Sequence, residues 1–171
     1  MKILNLHGYH GDPQNCACTA LKARRQTVFS PSLDYDSLSP ETILGALRKL
    51  IMTERIDMLA GTSLGGFYAA VLAAEYGLPV LLVNPCLMPF LHLPRLGYTG
   101  DIRPYITLFA SVGKLSSDQV SCIVGGSDEI IDTHDFAERL FGNARFRIVP
   151  EGKHAGATLH LEEYLEAVLP D

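Results

Sequence analysis

Six short β-rich apolar runs alternate with longer helical patterns along these 171 residues, and that alternation most narrows the possible folds. The runs are Lys2–Leu6, Thr27–Phe29, Asp57–Ala60, Val80–Val83, Ser121–Val124 and 144–149, from Ala144 to Val149. Helical patterns fall between and after them at Asn15–Arg24, from Ser39 onward, and at Leu64–Tyr76, Thr133–Phe141 and Thr158–Val168. Ser39 is placed to cap its helix and Pro40 sits in the first turn. Ile43, Leu44, Leu47, Leu50 and Ile51 then recur at helical spacing and make one apolar face. Gly77 and Pro79 end the Ala-rich helix that starts at Leu64. Strands and helices in alternation predict an α/β fold: a six-stranded, mainly parallel sheet with helices on both faces, three layers in all. Ligands of such sheets bind outside the carboxyl ends of the strands, so chemistry is expected in the loops that follow strands. Residues 84–118 are the least regular stretch, with four prolines and three glycines, and no element is assigned there.

A chain of this length fits one domain, here 1–171. Apolar residues at 47% and charged residues at 19% suit a packed core and exclude disorder. The net charge of −5 gives no basic excess for nucleic acid to read. The run after Met1-Lys2 is too short for a signal-peptide core. The longest apolar stretch, Leu78 to Pro94, is broken by Pro79, Asn84, Pro85 and Pro89 and cannot be a spanning helix. A cytoplasmic protein without a membrane partner is expected. Cys16 and Cys18 lack a second cysteine pair to complete a zinc set, and the histidines lack metal spacing. Four free thiols and no metal are therefore expected. Oligomeric state is left open.

Three of the loops after strands carry reactive groups. Gly61-Thr62-Ser63-Leu64-Gly65 matches Gly-x-Ser-x-Gly between a strand and a helix. Alone the pattern is weak. In that setting a sharp turn lifts Ser63 above the sheet, and the Leu64 N–H lies at a helix N-terminus suited to an oxyanion. A serine hydroxyl needs a base. His154 follows the last strand on a loop flanked by Gly152 and Gly156. An acid should orient that imidazole. Asp128, after the fifth strand, is the first candidate, with Asp132 its strongest rival and Glu129 and Asp135 nearby. The order Ser63, Asp128, His154 is that of α/β-hydrolases. In the first loop, His7 reads as a loop organiser, while His10 is open between a pocket role and none.

The chain resembles the YqiA-type bacterial esterases, the UPF0227 family. The resemblance is carried by Leu6-His7-Gly8-Tyr9, Gly61-Thr62-Ser63-Leu64-Gly65-Gly66-Phe67-Tyr68-Ala69, Val83-Asn84-Pro85 with Pro89-Phe90, Gly126-Ser127-Asp128-Glu129 and Glu151-Gly152-Lys153-His154. It implies a compact α/β-hydrolase with strand order 2-1-3-4-5-6; the short chain is expected to lack the first two strands of the full-length fold and to leave no room for a large cap domain. It also implies esterase or thioesterase activity on simple esters or acyl-CoA, and no cofactor. By the same resemblance the Tyr9 N–H joins the Leu64 N–H in an oxyanion hole. Residues 84–118 are where a small lid would lie, and Leu87, Met88, Phe90, Leu91 and Leu93 are expected to wall an acyl pocket beside Ser63. The departure from the family pattern is Cys86-Leu87-Met88 in the Asn-Pro segment. The expected reaction is two-step acyl transfer to water on a small-molecule ester or thioester. A peptidase or amidase, and a catalytically silent ligand- or protein-binding hydrolase fold, are the alternatives. Acyl length and leaving group are left open.

Overall fold

Strands β1 (Lys2–Leu6), β2 (Thr27–Phe29), β3 (Met58–Thr62), β4 (Val80–Val83), β5 (Val120–Gly125) and β6 (Phe146–Val149) form one sheet in the order β2-β1-β3-β4-β5-β6. Every neighbouring pair is parallel, with Leu4 opposite Leu59, Leu82 opposite Cys122 and Val124 opposite Ile148. The structure is a computed structural model that describes residues 1–143 and 145–169. Ala144, with which the sequence reading opens the last strand, lies outside the described residues, as do positions 170 and 171 of the predicted domain.

The two-residue repeat of a strand divides the sheet's side chains between two cores. Leu4, Leu6, Leu59, Leu82, Cys122 and Val124 face one cluster, and Ile3, Met58, Ala60, Leu81, Val83 and Ile123 face the other. Helices α2 (Pro40–Glu54), α3 (Leu64–Tyr76), α5 (Arg103–Val112) and α6 (His134–Phe141) contribute to the first through Leu47, Phe67, Tyr105 and Phe141. Helices α1 (Cys16–Ala23) and α7 (Leu161–Val168) contribute to the second through Leu21 and Leu165. The short helix α4 (Pro89–His92) follows β4. Leu64 to Ala73 are buried without a break, as befits a helix that is apolar on every side.

Local chemistry explains the helix starts. Asn15 accepts a hydrogen bond from the Cys18 N–H at the head of α1, and Ser39 accepts one from Thr42 N–H at the head of α2. Gly77 closes α3 in the left-handed region at φ 67°.

Two differences from the sequence reading stand out. Residues 84–118 contain α4 and the ten-residue α5, where no element was expected. Tyr105 is fully buried on α3, with its hydroxyl 3.1 Å from that of Tyr68, so tertiary packing forms a helix that β-branched and aromatic residues conceal. At the other end α7 begins only at Leu161, because His160 at φ 51° and a 3₁₀ turn over Gly156–Thr158 interrupt the predicted helix. Among the described residues no helix is long and apolar enough to cross a membrane.

Candidate active site

Between the end of β3 and the start of α3 the chain turns on one residue. Ser63 sits at φ 53°, ψ −121°, a strained conformation for a residue with a Cβ. The turn is held from both sides: the Ser63 N–H donates to Val83 O, and Ser63 O accepts from the Gly66 and Cys86 N–H groups. A Cβ on Gly65 would stand 2.1 Å from Leu6 O, so the head of α3 presses directly on the end of β1. The Ser63 side chain makes no hydrogen bond among the described residues.

The loop after β1 lies against this serine. A Cβ on Gly8 would come within 2.9 Å of Ser63 Cβ and 3.5 Å of its Oγ. His7 organises the loop, as expected. Its Nε2 accepts from the Leu33 N–H, which leaves Nδ1–H to donate to Gly8 O at 2.8 Å. Gly11 N–H donates to the same carbonyl, and Tyr35 Oη–H donates to His7 O. With Gly8 O tied down, the Tyr9 N–H of the same trans peptide points the opposite way. Neither it nor the Leu64 N–H has a partner among the described residues. The Tyr9 ring stacks on His10, and Asp36 accepts from Tyr9 Oη and pairs with His10 Nε2, each at 2.6 Å. Burial and then the Asp36 carboxylate push the Tyr9 phenol up to about 12. His10 is thereby turned to Asp36 on the exposed side of the loop.

The loops after β5 and β6 meet through Asp128. Its buried carboxylate accepts from Ile130 N–H, Ile131 N–H, His154 Nδ1–H and His134 Nε2–H, the last two at 3.0 and 2.8 Å. Burial works to raise this carboxyl, but the bonds from His134, His154 and the two amides outweigh it and hold it well below the usual carboxylate range. An ionised carboxylate only accepts, so His154 carries its proton on Nδ1 and presents Nε2 as a lone pair. The His154 backbone N–H donates to Glu129, and its carbonyl and that of Lys153 accept from Asn84 Nδ2 at 3.0 and 2.9 Å. Asn84 Oδ1 accepts from Gly125 N–H, so one fully buried side chain after β4 joins the ends of β5 and the histidine loop.

The structure therefore brings Asp128 and His154 into contact and sets Gly8 against Ser63. The chain also ties the Ser63 carbonyl to Cys86, whose buried thiol feels the charge of Asp128. Burial and then Asp128 push that thiol up to about 12, which keeps it an inert thiol. Asp132, the rival acid, is turned away: it accepts from the buried His92 and from Arg95. Leu87 and Leu93 are buried in the larger core, Phe90 packs edge-on against Phe109 at 5.4 Å, Met88 is half-buried and Leu91 is exposed. Among the described residues no group of His, Cys, Asp and Glu side chains is arranged to hold a metal ion.

Two residues escaped the sequence reading as parts of the site. Asn84 appeared there only within a motif, although a buried asparagine between a strand and a proline has to spend its amide on something. His134 opens α6 six residues after Asp128, and only the loop's path turns it back onto that carboxylate.

A family model described as uncharacterised protein family UPF0227 matches residues 2–106. The chain belongs to UPF0227. The matched part runs from β1 into α5 and so includes Gly8, Ser63 and Asn84, while Asp128 and His154 lie beyond it. Solved structures give the same fold for this UPF0227 member. An extracellular α/β-hydrolase from a Paenibacillus species is 12% identical, with all of both chains covered and a TM-score of 0.69. Est1E from Butyrivibrio proteoclasticus is 18% identical, with 98% of this chain and 84% of that one covered and a TM-score of 0.68. A structure of the metagenome-derived lipolytic enzymes LipS and LipT gives 18% identity, 98% and 91% coverage and a TM-score of 0.66. The fold is that of a compact α/β-hydrolase.

Proposed function

We propose that this UPF0227 member is a serine hydrolase that cleaves carboxylic esters or thioesters through Ser63, His154 and Asp128. The observation that carries the proposal is the buried Asp128–His154 pair, which leaves Nε2 as a lone pair in a fold whose strained β3–α3 turn bears a serine. In this reading Ser63 Oγ attacks the acyl carbon while its proton passes to Nε2, and an Oγ–C bond forms. The negative charge on the carbonyl oxygen is met by the amides of Tyr9 and Leu64, each such donor worth ~10²–10³ in rate. Collapse breaks the bond to the leaving oxygen or sulfur, which takes the proton from His154. Water then adds by the same route and releases the acid and free Ser63. No resident cofactor enters the scheme. Met88 and Phe90, on the segment after Cys86, are proposed to receive the acyl part of a small-molecule substrate, with Leu87 behind them in the core.

Hydrolysis of p-nitrophenyl esters and acyl-CoA thioesters by wild type and Asp128→Asn tests the reading. We expect turnover in the first and a loss of up to ~10⁴ in the second. Equal turnover in both would overturn the triad. Amide or peptide cleavage in place of ester cleavage would move the activity to the amidase class. Absence of turnover together with no labelling by a fluorophosphonate would favour a binding protein.

A further inference from the structure

A second imidazole bears on the acid of the proposed triad. His134 Nε2 lies 2.8 Å from Asp128 Oδ2, the oxygen that also takes His154 Nδ1 at 3.0 Å. The Asp128 side chain is 1% exposed and that of His134 13%, so the pair is largely shielded from water. His134 Nδ1 is buried and has no partner among the described residues. A carboxylate only accepts, so His134 turns an Nε2–H towards Asp128.

We propose that His134 is a positioning residue that acts through Asp128: it fixes the carboxylate and shares its charge, and so limits how strongly Asp128 holds a proton on His154. The sign does not depend on the charge of His134. Whether a neutral N–H or a cation is removed, the carboxylate turns more of its charge on His154 and stabilises the imidazolium. The other groups facing Asp128 are the Ile130 and Ile131 amides, the Cys86 thiol after β4 and the neighbouring Glu129. Asp132, Asp135 and Glu138 line the 330 Å³ cavity that also opens on Asp128 and His134. None of these three carboxylates donates a hydrogen bond to Asp128, and none can replace Nε2–H.

The inference extends the proposed hydrolase mechanism, and NMR tests it without requiring turnover. Histidine-labelled wild type, His134→Phe and His134→Gln are titrated by following the His154 ring. Phenylalanine keeps a flat aromatic ring there and removes the donor. Glutamine places an amide N–H near the old Nε2. We expect the His154 midpoint to rise by roughly 0.5–1 pH unit in His134→Phe, the size of one hydrogen bond, and to return towards wild type in His134→Gln. The acid limb of the pH–rate profile should move the same way. A midpoint unchanged in His134→Phe overturns the inference, whatever the protein hydrolyses. If that variant does not fold, the ring nitrogen couplings of wild-type His134 decide: an Nε2–H tautomer supports it and an Nδ1–H tautomer refutes it.

Discussion

Asp128 and Asp132 belong to the same loop and face different partners. Asp128 holds His154 and His134, whereas Asp132 pairs with His92 and Arg95 on the segment after β4. Asp128→Asn should therefore cost up to ~10⁴ in turnover, and Asp132→Asn should leave steady-state rates near wild type. Rates measured side by side on one ester check this, and the reverse ranking would reassign the acid. The three residues of the proposed triad and their order were legible as candidates in the sequence because each follows a strand. The choice between the two aspartates was not, since both fit the loop and only its hydrogen bonds to the Ile130 and Ile131 amides turn Asp128 inward. His134 and Asn84 were hidden for the same reason: their work depends on which loops meet, and spacing along the chain does not record that.

Elements meet at glycines in two different ways. A Cβ on Gly8 would strike the Ser63 side chain, while one on Gly65 would strike the backbone of β1. Gly8→Ala can be relieved by moving the first loop away from Ser63. It should cost about 10²–10³ in kcat, the loss of one oxyanion donor, with thermal unfolding near wild type. Gly65→Ala has no such relief, because helix head and strand end are both fixed. It should destabilise the fold by about 1–3 kcal/mol or more, read as a fall in unfolding temperature or in soluble yield. If the two variants exchange these behaviours, the first loop is not part of the site. The strands and the helices with capping residues were readable from the sequence. α5 was not, because Ile106, Thr107 and the aromatics of 103–112 carry weak helix preference and Tyr105 makes the helix by packing on α3.

For the whole molecule, six parallel strands put every functional loop at one edge of the sheet, the edge where open α/β sheets bind ligands. The alternation in the sequence was enough to place Ser63, Asp128 and His154 at that edge, whereas the strand order came from family resemblance, since alternation alone permits several. Asp128 also ties the site to stability. Its carboxyl is held below its ordinary value of 3.8, so its contribution is fully present above that pH and is lost as pH falls from there. Denaturant unfolding between about pH 4 and pH 2 should weaken wild type more steeply than Asp128→Asn, and parallel curves would show that the carboxylate adds nothing to the fold. The most direct measurement of all is hydrolysis of a p-nitrophenyl ester series by wild type and Ser63→Ala, with circular dichroism on both. We expect turnover in wild type, none above background in the variant, and the same fold in each. Equal turnover in the two proteins would contradict the assignment of Ser63 as nucleophile.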